Sequence, residues 1–143
     1  MEKIVCAIRG GDTSRRAQER AIVLGQERNG LVIFVHIIDT DLITQMDTSL
    51  TDAVQVEMEQ IGTALLTIAV ERAQAQGVKA DKALRTGPVR QTLEAFLREV
   101  QASVLVLGAP DGGSKYNTFS KTEFDTFVEE LKTTLGIDVE IVQ

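Results

Sequence analysis

The sequence predicts a doubly wound α/β domain: a five-stranded parallel sheet with helices on both faces. Two observations carry the prediction. Short apolar, β-branched runs alternate with segments of helical period in the order β-α-β-α-β-α-β-α-β. Such alternation is built from βαβ units with right-handed crossovers. That order also takes up all 143 residues, as one domain over 1–143 without linker, internal repeat or low-complexity stretch.

Each element has its own signal. Ile4 to Ile8 is a buried strand closed by Gly10-Gly11. Asp12 or Thr13 caps a helix running to about Arg28, with Ala17, Ala21 and Leu24 inward, and Asn29-Gly30 ends it. Leu31 to Ile38 is continuously apolar, which suits a strand covered on both faces. An acidic connection, Asp39 to Ser49, precedes a long helix from about Leu50 to Gln76. Its helical spacing predicts a core stripe of Val54, Met58, Ile61, Leu65, Ile68 and Arg72, with Gly77 as terminator. Val78 to Arg85 alternates as a more exposed strand. Thr86-Gly87-Pro88 opens a helix whose apolar face is Val89, Leu93, Phe96, Leu97 and Val100. Ser103 to Leu107 is the next buried strand, followed by a glycine-rich loop from Gly108 to Thr118. Ser120-Lys121-Thr122-Glu123 is a capping-box sequence for a last helix, with Phe124, Phe127, Val128, Leu131 and Leu135 inward. Gly136 closes it, and Ile137 to Val142 is the final strand.

Composition excludes several classes of function. Asp+Glu is 21 against Lys+Arg 15, a net charge of −6, and no basic stripe is visible, so a nucleic-acid target is not expected. Aromatics are 4%, which leaves little for base stacking. No apolar run reaches the ~18 residues of a membrane span. The first residues enter an apolar strand without a cleavage region, unlike a signal peptide. A single cysteine forms no internal disulfide and fits a reducing cytoplasm.

In sheets of this kind ligands bind at the carboxyl ends of the strands, where the strand order reverses. A flavodoxin-like order of 3-2-1-4-5 puts that point between the first and fourth strands. The loops to watch are Arg9–Ser14 and Gly108–Ser120.

The opening strand Lys3-Ile4-Val5-Cys6-Ala7-Ile8, the turn leading to Ser14-Arg15-Arg16-Ala17, and the Val35-His36-Ile37-Ile38-Asp39 strand end form a recognisable set. With Thr86-Gly87-Pro88, its helix and Val104-Leu105-Val106-Leu107-Gly108, the chain resembles the universal stress proteins over nearly its whole length. The resemblance implies a 3-2-1-4-5 sheet of the adenine nucleotide alpha hydrolase-like kind. It also implies frequent dimerisation through the last strand and, in one branch of the family, ATP at the switch point. That branch ends its first strand on an acid that serves the nucleoside, and its phosphate motif runs Gly-x2-Gly-x9-Gly-Ser/Thr. Here the acid is replaced by Arg9. Gly108 starts the motif and Thr122 supplies its hydroxyl, but Asp111 and Lys121 stand at its second and third glycines. Since glycine lets backbone approach phosphate and an aspartate repels it, ATP is not expected in the family's usual pose.

The candidate ligand-binding residues are therefore Arg9, Gly10 and Gly11 from the first loop, and Gly108, Gly112, Gly113, Ser114 and Thr122 from the second. Ile37 and Ile38 would offer backbone groups to a base. Arg9 has two readings. It can grip a carboxylate or phosphate of an anionic small molecule in a fork. Alternatively it pairs with Asp111 or Asp39 and fills the crevice. Gly10 to Ser14 reads as a turn and N-cap ahead of an anion nest, and only loosely resembles the PP-loop of ATP pyrophosphatases. Gly108 to Lys115 approaches a P-loop with Ser114-Lys115 inverted, and a surface loop is the plainer reading. His36 and Cys6 read as core residues. No zinc cluster, nucleophile elbow or EF-hand spacing is present, so neither a metal nor a catalytic residue is predicted.

The function expected is a non-enzymatic stress-response or regulatory domain, cytoplasmic and homodimeric through 137–142. The alternative is a nucleotide-binding switch with slow phosphoryl chemistry. A third, weaker one, a PP-loop adenylating enzyme, would want a further substrate domain.

Overall fold

A computed structural model describes residues 1–9, 12–40, 51–110 and 121–143. Among these the chain runs β1 (Lys3–Ala7), α1 (Asp12–Arg28), β2 (Leu31–Asp39), α2 (Thr51–Ala75) and β3 (Lys79–Gly87). It continues through α3 (Val89–Val100), β4 (Val104–Gly108), α4 (Lys121–Leu135) and β5 (Asp138–Val142). The strands form one sheet in the order β3-β2-β1-β4-β5, and each neighbouring pair is parallel, as the sequence predicts.

Two cores result, one per face. Alternation in β1 sends Ile4, Cys6 and Ile8 to one face, where they meet Ala17, Ala21 and Leu24 of α1 and Leu66, Ala69 and Ala73 of α2. Val5 faces the other side, with Leu93, Phe96 and Leu97 of α3 and Phe124, Phe127, Val128 and Leu131 of α4. The inward faces predicted for α1, α3 and α4 are the ones observed.

Helix α2 corrects its prediction. The stripe Val54, Met58, Ile61, Leu65, Ile68 and Arg72 is not the buried one: Ile61 is 59% and Ile68 46% exposed. The buried residues are Gly62, Leu66, Ala69 and Ala73. The cause is close approach. A Cβ on Gly62 would stand 2.6 Å from His36 Cδ2 and 3.0 Å from Leu84 Cδ1, so the face of small residues is the one that fits the sheet. Apolar residues occur on more than one side of this helix, and periodicity alone does not choose between them.

Boundaries shift by a residue or two elsewhere. The largest is β3, which continues past Arg85 to Gly87 by pairing Thr86 with Ile38 and Gly87 with Asp39. Ser120 of the capping box and the acidic residues Asp41 and Asp47 lie outside the described residues.

Candidate functional site: the crevice between β1 and β4

β1 leaves the sheet before its neighbours do. Its last residue, Ala7, is opposite Val35, while β2 runs on to Asp39 and β4 to Gly108. Right-handed crossovers then carry the chain from β1 to α1 on one face and from β4 towards α4 on the other. The crevice opened there is the switch point of the sheet.

Arg9 follows β1 at this point. Its backbone N–H donates to Ser14 Oγ at 3.1 Å, which ties the residue after β1 to the first turn of α1. Its guanidinium Nη2 donates to the Gly108 carbonyl at 2.6 Å and so spans from β1 to β4. Arg9 is half-buried, and desolvation lowers its pKa, because burial disfavours the charged form. Among the described residues the ion pairs do not include Arg9, so the predicted pairing with Asp39 is not formed. Asp111, the other partner considered, lies outside the described residues.

Gly108 holds a close contact of its own. A Cβ there would stand 2.9 Å from the Thr13 carbonyl oxygen and 3.2 Å from the Ser14 nitrogen, so α1 begins directly against the end of β4. Glycine at this position is accounted for by packing whether or not a ligand approaches.

Ile37 and Ile38 differ. Val35 turns its carbonyl to β1, where Ile8 N–H donates to it at 2.8 Å. Ile37, two residues on, therefore directs its backbone to the same edge, beyond the end of β1. Ile38 is paired with Thr86 of β3, and its side chain is fully buried. Thr122 is exposed in the first turn of α4. Gly10, Gly11, Gly112, Gly113 and Ser114 lie outside the described residues.

Of the two residues read as core, Cys6 is one, while His36 is hydrogen-bonded but only half-buried. The His36 Nδ1–H donates to the Ile8 carbonyl at 2.8 Å, since a carbonyl oxygen can only accept. Cys6 is fully buried, and desolvation pushes its thiol up to about 12. Sequence reasoning did not assign a role to Ser14. A hydroxyl in the first turn of a helix, five residues after Arg9, was the available signal. The Gly108 carbonyl had no signal at all, since a backbone acceptor 99 residues away leaves no mark on side-chain identity.

Among the described residues no group of three or more His, Cys, Asp or Glu could hold a metal ion. Nor is any described helix long and apolar enough to cross a membrane.

The fold defines a doubly wound α/β domain with its crevice at the switch point of the sheet. Residues 1–118 match the universal stress protein family, and the chain belongs to that family. No curated protein sequence matches it. Among solved structures it is similar to a universal stress protein family member from Burkholderia pseudomallei, at 20% identity and a TM-score of 0.73, covering 99% of this chain and 95% of that one. It is similar to a universal stress protein in complex with cAMP, at 22% identity and a TM-score of 0.68, covering 99% and 97% of the two chains. A third is the universal stress protein from Archaeoglobus fulgidus in complex with dAMP, at 16% identity and a TM-score of 0.66, covering 100% and 98%.

Proposed function

We propose that this chain is a non-enzymatic regulatory domain of the stress response. In this reading it acts in the cytoplasm as a homodimer and does not hold ATP in its family's usual pose. The observation that carries the reading is the 2.6 Å hydrogen bond from Arg9 to the Gly108 carbonyl. A nucleoside that relies on an acid at the end of β1 meets a guanidinium instead, and that guanidinium already engages β4. The residues present therefore do not fit the family's triphosphate arrangement. Asp111 in a glycine's place adds a repulsive charge.

A thermal-shift titration with ATP, ADP and AMP, with and without magnesium, tests this, because a ligand of the folded state raises its stability by mass action. Millimolar ATP is expected to leave the melting temperature unchanged. The double substitution Arg9→Asp with Asp111→Gly is expected to gain a shift. A magnesium-dependent ATP shift in the unaltered protein would overturn the reading. It would favour the second one, a nucleotide-binding switch in which Asp111 or Asp12 holds the metal. That alternative is kept because structural relatives were crystallised with dAMP and cAMP.

The dimer is proposed to form through 137–142. Asp138 N–H donates to Ser103, and Val142 accepts from Ala109, so Asp138, Glu140 and Val142 direct their backbones to β4. Ile141 then directs its backbone outwards, and its side chain is 39% exposed. Glu140, which could have guarded this edge, is drawn back to Arg20 of α1 at 2.7 and 3.1 Å. That leaves Asp138 as the charged residue facing solvent on β5, and an edge so lightly guarded invites pairing across a two-fold axis. Ile141→Pro removes an outward N–H without touching the β4 ladder. It should convert a dimer to a monomer in light scattering, and a monomeric unaltered protein would refute the assembly.

A further inference from the structure

We propose that the outer face of α2 pairs with the same face of a second copy of this chain, antiparallel and across a two-fold axis. The contact is separate from the one proposed for 137–142 and goes beyond the function proposed above.

The starting point is the stripe that helical period marks as core and the fold leaves outside. Val54, Met58, Ile61, Leu65, Ile68 and Arg72 recur at alternating steps of four and three residues, as in the seam between paired helices. α2 turns a different face to the sheet, through Gly62, Leu66, Ala69 and Ala73. The middle of the stripe stays in solvent: Ile61 is 59% and Ile68 46% exposed, and Ala64 between them is exposed as well.

The charges at its two ends identify what covers it. Glu57 stands four residues before Ile61, and Arg72 stands four residues after Ile68. Around Ala64 and Leu65 the face is therefore symmetric in its isoleucines and opposite in its charges. A two-fold axis between Ala64 and Leu65 sets Ile61 against Ile68 of the second copy, and Ile68 against its Ile61. The same operation sets Glu57 against Arg72 at both ends at once. Parallel pairing would instead stack Glu57 on Glu57 and Arg72 on Arg72. A face that complements itself under one two-fold operator is what an isologous contact requires.

Both charges are available for this. Among the described residues no ion pair includes Glu57 or Arg72. Arg72 Nη1 donates to the neutral Gln18 Oε1, at the long distance of 3.4 Å. At about 1.5 Å per residue the two charges lie roughly 22 Å apart along α2. Both ends can then meet only at a shallow crossing angle, about 20°. Ala64, small and next to the axis, lets the two helices approach. One helix face is a small interface, so the association is weak and depends on concentration. In a dilute melt α2 is free and Ile61 remains in solvent.

Sedimentation equilibrium of the full chain between about 5 and about 500 μM tests this, in the range of a weak contact. The mass is expected at least to double from whatever species is present at the dilute end, and to rise less in high salt, which screens the end pairs. Glu57→Arg and Arg72→Glu each place like charges across the axis, and each should weaken association by about tenfold or more. An equal mixture of the two variants brings opposite charges together at both ends again and should associate as the unaltered chain does. Under mild oxidation Ala64→Cys should give a disulfide-linked dimer and Thr63→Cys, off the stripe, should not. Cys6 is buried and takes no part. The cross-link carries the test if a charge variant does not fold, as judged by its melt.

A mass that does not rise over this range, charge variants that associate unchanged, a mixture that associates no better than its components, or equal cross-linking from both cysteine positions would each overturn the proposal. A monomer at the dilute end that doubles on concentration refutes the assembly through 137–142 and leaves this contact standing. A dimer that never grows does the reverse.

Discussion

The two faces of this sheet bury the same strands with opposite kinds of helix. On the α1/α2 face the helices contribute four alanines, Ala17, Ala21, Ala69 and Ala73, beside Ile22, Leu24 and Leu66, against Ile4, Ile8 and Phe34 of the sheet side. On the α3/α4 face the helices bring Phe96, Phe124 and Phe127 over Val5, Ile33, Val35, Leu105 and Leu107. Interiors are close-packed in either case, so the alanine-rich helices sit closer to the sheet and the phenylalanine-bearing ones fill a wider layer. The contrast reaches the site. Small residues let helices approach backbone closely, and Gly108 applies the same device at the mouth, where α1 meets the end of β4.

The sharpest way to break this contrast is to remove bulk where the helix supplies it. Phe96 is almost fully buried, and Phe96→Ala should cost about 3–5 kcal/mol of stability in denaturant melts, since a cavity remains. Ile61→Ala, on the exposed side of α2, should change stability by no more than about 0.5 kcal/mol. If the two losses were similar, Ile61 would be buried in solution and the face described for α2 would be wrong.

The same contrast explains what could be read before the structure. The order of elements along the chain, and their bounds to within a residue or two, were legible because apolar β-branched runs and helical periods do not overlap here, while the strand order came with the family resemblance. The inward face of α3 was legible because Arg90, Arg98 and Glu99 polarise it. That of α2 was not. Ile61 and Ile68 lie on a flank, and beside Leu66 the buried face is marked by Gly62, Ala69 and Ala73, which hydrophobic periodicity weights least. At the site, the position of Arg9 followed from strand ends alone. Its hold on the Gly108 carbonyl did not, because any residue supplies a carbonyl.

Adding bulk to the other face is the next test. Ala69 is fully buried on α2, in the helix face that Gly62 brings against His36 and Leu84. Ala69→Leu should destabilise by about 1–3 kcal/mol through overpacking. A stabilising outcome in the same melts would mean that α2 stands farther from the sheet than its small residues imply.

The smallest effect is electrostatic and belongs to the rims of the two faces. Each has an ion pair, but they differ in what they join. Arg90 and Glu123 join two helices at 3.3 Å, and Arg20 and Glu140 join α1 to β5 through two contacts. The Glu140 carboxyl is held below its usual value, chiefly by the hydrogen bond from Arg20. A depressed carboxylate pKa means the folded state binds the proton less readily than the unfolded chain. The pair's contribution is therefore complete above the unfolded value, about 4.3 for a glutamate, and is lost as pH falls through the lower folded value. Both side chains are about one-third exposed, so solvent screening limits the contribution to less than ~1 kcal/mol. Glu140→Gln should lower the melting temperature slightly at about pH 7, and the gap should close in acid as pH falls through the lowered folded value. A gap that persists in acid would make the link between α1 and β5 a matter of packing, as on the opposite face, and not of charge.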